Sequence, residues 1–263
     1  GTAAGAGADP HGASNWALDW LGFVPGKRES RRFIGRHILT QEDILHSRPF
    51  DDAIAYGGWS LDLHPPEGVD APGVQPCVQH EVPWLYDIPL SCCVARDVPN
   101  LMFAGRNLSA THVAFSSTRV MATCAAVGQG VGTAAAVAVA SGKKPGDLCG
   151  DEEKIAEIRS LLVADDAYLI DGDFSFGNAA TTARISASSE SPGGEAKNVI
   201  SRQTSAVHGE RGAPPDRRVE SSHRWRSDPE AGLPAWLMLR WEQAQQIEEV
   251  RLIFDTGLHR HLT

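Results

Sequence analysis

NLMFAGRNLSATHVAFSSTRVM, residues 100–121, is the stretch that decides the fold of the first part of this chain. Its apolar run LMFA (101–104) predicts a β-strand that ends at Gly105-Arg106, before a polar loop with one histidine. A long uncharged helix is predicted to begin near Ser116-Ser117-Thr118 and to end at Ser141-Gly142. The first N–H groups of a helix have no internal partners and its dipole end is positive. Such a turn is therefore suited to hold an anionic or electron-rich group.

The composition is that of a globular chain with one or two domains. Of the 263 residues, 42% are hydrophobic and 22% are charged. The formal net charge of -9 argues against a general nucleic-acid binder, which needs a basic surface. We therefore expect no nucleic-acid partner.

The five cysteines have no regular spacing and do not indicate a disulfide framework. Cys92 and Cys93 are adjacent and lack the two-residue gap of a redox or zinc pair, so buried free thiols are expected. No HxxxH or CxxC spacing occurs, and no metal site is predicted.

The run from Val120 to Ala140 carries no charge and has about the length of a membrane span. It is rich in Ala, Gly and Thr rather than Leu, Ile and Phe, and it contains Gln129. We therefore expect a buried helix and no membrane span.

Both ends of the sequence are expected to be cut from a longer chain. The first residue is not Met, and the last residues stop just after a strand-like run. The compartment stays open, with a secreted or periplasmic full-length protein as one alternative, and so does the oligomeric state.

Shorter elements are predicted on either side of the opening stretch. Thr40 is expected to cap a short helix over 41–44, and 53–62 to form a strand with a Gly-Gly bend or bulge. Residues 86–90 read as a short edge strand because they contain Pro89. An amphipathic helix is predicted over 152–163. Its apolar stripe consists of Ile155, Ile158, Leu161 and Leu162.

The composition changes at Ala180, after a linker over 171–179. Apolar residues alternate in 236–241 and 247–254, which predicts two strands, and no helix-period segment follows residue 180. We therefore expect a fold of the α+β class in 1–170 and an all-β sandwich, truncated before its last strands, in 180–263.

The first part resembles the flavin-dependent oxidoreductases of the two-dinucleotide-binding-domain type that are found in many bacteria. The resemblance covers about residues 9–167 and is most specific in 86–136, where strand, loop and helix agree. It implies FAD as cofactor and the C-terminal part of an FAD/NAD(P)-binding α/β fold. The GxGxxG unit that holds the adenine half in that family is absent here, so this chain is expected to be the C-terminal half of such an enzyme.

The tail resembles the galactose-binding-like, discoidin-type β-sandwich. The matching segments are ARISASSE, AKNVI (196–200), RWRSDP (224–229), PAWLMLRW (234–241) and IEEVRLIFD (247–255). Such modules often bind sugars or surfaces, and a carbohydrate ligand is therefore expected.

The resemblance implies that the strand end and the helix start lie against the flavin. The helix N–H groups would stabilise negative charge on the N1–C2 carbonyl edge of the reduced ring. The alternative is an ordinary capped, buried helix. The implied cofactor residues are Gly105, Arg106, Asn107, Ser117, Thr118, Arg119, Val120 and Met121.

His112 is the candidate catalytic base. An enzyme that takes hydride from a carbinol carbon needs a base for the hydroxyl proton, and an imidazole suits that role. The alternative is a loop histidine bonded to backbone.

The candidate substrate-binding residues are basic or aromatic. Arg28 and Arg31, with Arg32 beside them, could bind a carboxylate or phosphate, or form a solvated basic strand. Tyr56 and Trp59 flank Gly57-Gly58 and could face the flavin or a sugar, or pack in the core.

The leading hypothesis is an FAD-dependent oxidoreductase that transfers hydride from an alcohol-type substrate to flavin, with a carbohydrate as one option for that substrate. The alternative is a carbohydrate-binding or surface-adhesion protein without catalysis. A lyase or hydrolase is disfavoured because no close carboxylate pair stands out.

Overall fold

The computed structural model describes residues 16–24, 29, 31–71, 73–170, 172, 178–201 and 224–254. The chain divides into two compact units, Gly1–Ser30 and Arg31–Thr263. In the first unit, residues 16–24 form no helix or strand and expose large apolar side chains, among them Trp16, Trp20 and Phe23. Arg28 lies outside the described residues.

The second unit combines α-helices with small antiparallel sheets. Its helices are α1 (Gln41–Leu45), α2 (His112–Thr118), α3 (Met121–Ser141), α4 (Pro145–Leu148) and α5 (Glu152–Ala164). Its strands are β1 (Ala53–Gly57), β2 (Leu61–Leu63), β3 (Val78–His80), β4 (Tyr86–Pro89), β5 (Arg184–Ala187) and β6 (Leu237–Arg240). The α+β prediction for the first part of the chain is confirmed.

The core lies around the antiparallel pair of β1 and β4, where Gly57 faces Tyr86 and Ala53 faces Pro89. Helix α3 packs across β1, and α5 packs against both of them. The buried face of α3 consists of Thr123, Val127, Gly130, Val131, Ala134, Val137 and Ala138. This arrangement buries the apolar residues of the β1–β4 pair between the strands and the helices.

Several local predictions are confirmed. Thr40 caps α1 in a reciprocal capping box with Asp43, and α3 ends at Ser141 with Gly142 in the left-handed conformation (φ 65°). Helix α5 buries Ile155, Ile158 and Leu162, whereas Leu161 is 44% exposed. The predicted edge strand is β4.

The predicted strand over 53–62 is two strands. Gly58, Trp59 and Ser60 separate β1 from β2, and β2 pairs with β3 in a different sheet. The Gly-Gly bend is therefore present, but it changes the partner of the chain as well as its direction.

The prediction of a strand over 101–104 is wrong. This segment makes only an isolated bridge between Met102 and Val94, with hydrogen bonds from Ala95 N to Leu101 O and from Phe103 N to Cys93 O. A turn closed by Leu101 N to Val98 O brings the two segments together, and it leaves no room for a longer ladder.

Helix α3 is the one helix among the described residues that is long and apolar enough to cross a membrane, by length and composition alone. A helix in the core of a soluble protein meets the same criteria. One face of α3 is buried in the core, and the other exposes Ala122, Ala125, Gly128 and Gly132.

In the tail, β6 confirms the strand predicted within 236–241, and it pairs with β5. The strand predicted over 247–254 is wrong, since these residues have no regular structure and expose Val250, Leu252 and Phe254. An alternating pattern needs a neighbouring strand to become a ladder. In the described part of the tail, the β5–β6 pair is the one sheet, and no sandwich is present.

Candidate functional site

The centre of the candidate site is a break between α2 and α3. Thr111 caps α2 by accepting a hydrogen bond from Ala114 N. After Thr118 the chain passes through Arg119 (φ -77°, ψ -8°) and an extended Val120 (φ -70°, ψ 149°), and α3 begins at Met121. The single long helix predicted from the sequence is therefore two helices.

The break moves the positive helix end predicted near Thr118. Arg119 N donates to Phe115 O at 3.1 Å, so the backbone there is satisfied within α2. The new helix end lies at Met121 and Ala122, both of which are exposed. Val120 is the N-cap residue, and among the described residues no side chain forms a capping hydrogen bond there. The N–H groups of the first turn of α3 therefore point out of the helix without an internal partner.

The turn at Gly105 is the second feature of the candidate site. Gly105 has φ +85°, which favours glycine, and among the described residues no atom lies within 4 Å of the position of an added Cβ. Burial raises the pKa of Cys124, in the first turn of α3, and the positive charge of Arg106, which follows Gly105 in the chain, offsets part of that rise. The charge of Arg106 thus acts on the first turn of α3.

His112 is the first residue of α2 rather than a member of a loop. Its side chain is exposed and takes part in an interaction within the protein. Thr118 ends the same helix, about 9 Å from His112 along its axis, and α3 begins at Met121, beyond the break. The segment that precedes His112 is held by hydrogen bonds from Phe33 N to Asn107 O and from Leu39 N to Ser109 O.

A chain of buried hydrogen bonds joins α2 to the segment between β1 and β2. Ser117 Oγ donates to Trp59 O at 2.5 Å and lies 2.6 Å from the Tyr86 hydroxyl. Ser117 has one hydroxyl hydrogen, which it gives to Trp59, so the Tyr86 hydroxyl is the donor to Ser117. Burial raises the pKa of Tyr86 far above its ordinary value, and this phenol stays protonated as that donor role requires.

Arg119 is held by an acidic partner that the sequence patterns did not single out. One guanidinium nitrogen, Nη2, lies 2.8 Å from Asp62 Oδ2 and 3.2 Å from Asp62 O. The Arg119 and Asp62 side chains are 9% and 15% exposed. An aspartate between the two leucines of β2 follows the ordinary alternation of a half-buried strand, so no sequence pattern pointed to this pair.

The structure brings only some of the predicted substrate residues to this region. Trp59 is 47% exposed and its carbonyl contacts α2, as above. Tyr56 instead packs its ring edge-on against Tyr168 at 5.0 Å, and burial raises its pKa. Arg31 is exposed.

The thiols follow the predicted pattern in part. All five cysteines are free; Cys92 and Cys93 are buried, but Cys77 is exposed. Burial, with the neighbouring charge of Asp52, raises the pKa of Cys93 to about 12, so this thiol is not a nucleophile at neutral pH. Within the described ranges, no group of three or more His, Cys, Asp or Glu side chains could hold a metal ion.

Comparison with known proteins gives one match. The model of a family described as FAD dependent oxidoreductase matches residues 3–162. No curated protein and no solved structure matches the chain. The matched range contains the α2–α3 break, the Gly105 turn and every predicted site residue.

Proposed function

The chain belongs to the FAD dependent oxidoreductase family, a family of enzymes whose cofactor is FAD, and we propose that its α2–α3 break holds the flavin end of that cofactor. The observation that carries this proposal is the exposed N-terminus of α3, without a side-chain cap among the described residues, together with the open turn at Gly105, whose neighbour Arg106 acts electrostatically on the first turn of α3. Both features fit a flat, electron-rich group that must approach the backbone closely.

The residues divide into those that would touch the flavin and those that would support the site. The N–H groups of Met121 and Ala122, with the positive charge of Arg106, would face the N1–C2 carbonyl edge. Ser117 and Thr118 are fully buried and form hydrogen bonds within the protein, so we assign them to supporting the break. When bound, FAD supplies a hydride acceptor.

For His112 we propose the role of proton acceptor from an alcohol-type substrate. Its exposed side chain at the start of α2 can reach a bound ligand without moving the core. A neutral imidazole accepts the hydroxyl proton as hydride leaves the carbinol carbon, which keeps the product carbonyl neutral. Of the predicted substrate residues, Arg31 and Trp59 have the exposure that contact with a substrate requires.

A carbohydrate substrate and a galactose-binding-like module over 180–263 remain part of the proposal. Their support is the resemblance of the tail and the exposed indole of Trp236 beside β6, 45% accessible, since sugars bind to exposed aromatic faces. The second candidate, carbohydrate binding without catalysis, rests on the same residue. Binding of simple sugars in the presence and absence of FAD distinguishes the two, because a substrate also bleaches the flavin absorbance whereas a ligand of the tail alone does not.

The test of the flavin site uses a charge placed at the α3 N-terminus. The full chain is titrated with FAD, with flavin fluorescence as the readout, and saturable binding is expected. Ala122→Asp should weaken FAD binding by about tenfold or more, because the new carboxylate lies where the flavin edge is proposed to lie. The same carboxylate favours the helix end, so folding should be preserved.

Ala136→Asp is the matched control. It adds the same charge to an exposed position of the same helix, about 21 Å away, and FAD binding should stay unchanged. Equal affinities for Ala122→Asp and wild type would place the flavin elsewhere. Failure of the wild-type chain to bind both FAD and riboflavin, which needs no adenine site, would contradict the proposed flavin site.

A further inference from the structure

The break between α2 and α3 contains neither proline nor glycine, the residues at which sharp kinks are ordinarily found: residues 116–124 read SSTRVMATC. The hydroxyls of Ser116 and Thr118 bond back to carbonyls three residues earlier, and such local bonds compete with the helix. A continuous helix would satisfy the backbone at Val120, which is instead extended. Contacts with the rest of the protein act on the same segment.

Those contacts converge on residues 59–62, which run from the β1–β2 connection into β2. Ser117 donates to Trp59 O, and Arg119 donates to both the carbonyl and the carboxylate of Asp62. The Ser117 bond lies within α2, whereas Arg119 is the C-cap residue at which α2 ends. The Arg119–Asp62 pair is thus the contact placed at the break itself.

The geometry of this pair is constrained because both side chains are largely shielded from water. The Oδ1 atom of Asp62 is buried without a hydrogen-bond partner among the described residues, so the carboxylate depends on what meets Oδ2. Arg119 Nη2 meets it at 2.8 Å, and His64 Nε2 lies at 3.4 Å. A buried carboxylate that loses its cation pays a large desolvation penalty, so the two side chains favour the one backbone geometry in which they meet.

We infer that Asp62 and Arg119 form a positioning pair, which holds the α2–α3 break and thereby creates the exposed N-terminus of α3. Without the break, the only positive end would lie at Thr111, where a side chain already caps it. Arg119 was predicted to contact the cofactor directly. In this inference its role is indirect, because it fixes the helix end that contacts the cofactor. The functional part of this inference rests on the proposed flavin site.

The test combines a readout in the free protein with one in the loaded protein. Asp62→Asn keeps the shape of the carboxylate and removes its charge, and Arg119→Gln removes the cation. In the free protein, the 121–123 amides lack a helical acceptor, so they should exchange at least tenfold more slowly in both variants as the helix becomes continuous, while the 155–162 amides of α5 keep the wild-type rate. The double variant should show the same amide exchange rates as either single variant, because the pair acts as one unit.

FAD titration of the same proteins gives the second readout, and both variants should bind FAD about tenfold more weakly. Glu157→Gln, which removes a carboxylate from the Lys154–Glu157 ion pair of α5, should change neither readout. Should Asp62→Asn not fold, Arg119→Lys, which keeps the charge and loses the planar fork, carries the same test.

The outcomes separate the inference from the proposed function. Exchange that is unchanged at 121–123, or altered by the same factor throughout the protein, overturns the positioning role. Selective protection of 121–123 in a protein whose wild-type form binds neither FAD nor riboflavin supports the positioning role and rejects the flavin site. Selective protection with wild-type FAD affinity rejects the link between the pair and the cofactor.

Discussion

Gly130 of α3 lies directly on the backbone of Ile54 in β1: a Cβ added to Gly130 would stand 2.6 Å from the Ile54 carbonyl oxygen. Helix and strand therefore meet backbone to backbone at this point, and only glycine permits the distance. This contact sets how closely the helix that carries the candidate flavin site approaches the β1–β4 pair.

Gly130→Ala and Gly132→Ala should change stability in opposite directions. The first should lower the free energy of unfolding by about 1 to 3 kcal/mol, because a backbone carbonyl cannot move aside. Gly132 is exposed, with no described atom within 4 Å of an added Cβ, so the second should raise it by about 0.5 to 1 kcal/mol. Urea unfolding of both variants checks the two signs. A Gly130→Ala protein with the wild-type free energy of unfolding would mean that α3 does not pack on β1 as described.

Ser117→Ala should be more destabilising than Tyr86→Phe. Removing the serine hydroxyl leaves both the Tyr86 hydroxyl and the Trp59 carbonyl without this partner, at a cost of about 1 to 3 kcal/mol for each group. Removing the phenol hydroxyl leaves Ser117 still donating to Trp59, so Tyr86→Phe should lower the free energy of unfolding by only about 1 kcal/mol. Denaturant unfolding of the two single variants and the double variant measures the order, and the reverse order would contradict the donor assignment.

The contribution of Asp43 to stability should be lost in acid. Burial alone would raise the pKa of Asp43, but hydrogen bonds from the Thr40 backbone and hydroxyl and from Arg48, with His37 nearby, hold it below its ordinary 3.8. A carboxyl with a lowered folded pKa stabilises the protein fully above its unfolded pKa and loses that effect as the pH falls through the folded pKa.

Asp43→Asn checks this linkage. The variant should be less stable than wild type near neutral pH, and the difference should shrink as the pH falls below about 4. Unfolding free energies of the two proteins at several pH values give the comparison. A difference that stays constant into acid would show that the loss comes from packing and not from the charge.

His112→Ala should slow reduction of bound flavin by substrate about tenfold or more, since a positioned base contributes at least that factor. Stopped-flow absorbance of the flavin-loaded protein measures the rate. His80→Ala, which removes another exposed histidine, in β3, should leave it unchanged. Reduction by His112→Ala at the wild-type rate would remove this residue from the mechanism.

The sequence alone determined the elements whose signals are local. The Thr40–Asp43 capping box, the end of α3 at Gly142 and the apolar stripe of α5 depend on residues within a few positions of each other. The apolar, uncharged character of 120–140 predicted a buried helix, and one face of α3 is buried in the core. Gly105 was predicted to end a strand; the structure instead places it in a turn, with φ +85°.

Only the tertiary structure decided where α2 ends and α3 begins. The residues around Arg119 include neither proline nor glycine, and the bonds to Trp59 and Asp62 come from more than fifty positions away in the chain. The same limit applies to 101–104 and 247–254, because a strand depends on a partner segment that a pattern of apolar residues does not specify. Local propensity thus fixed which residues form helices and turns, whereas buried long-range polar contacts fixed which helix end is exposed at the candidate site.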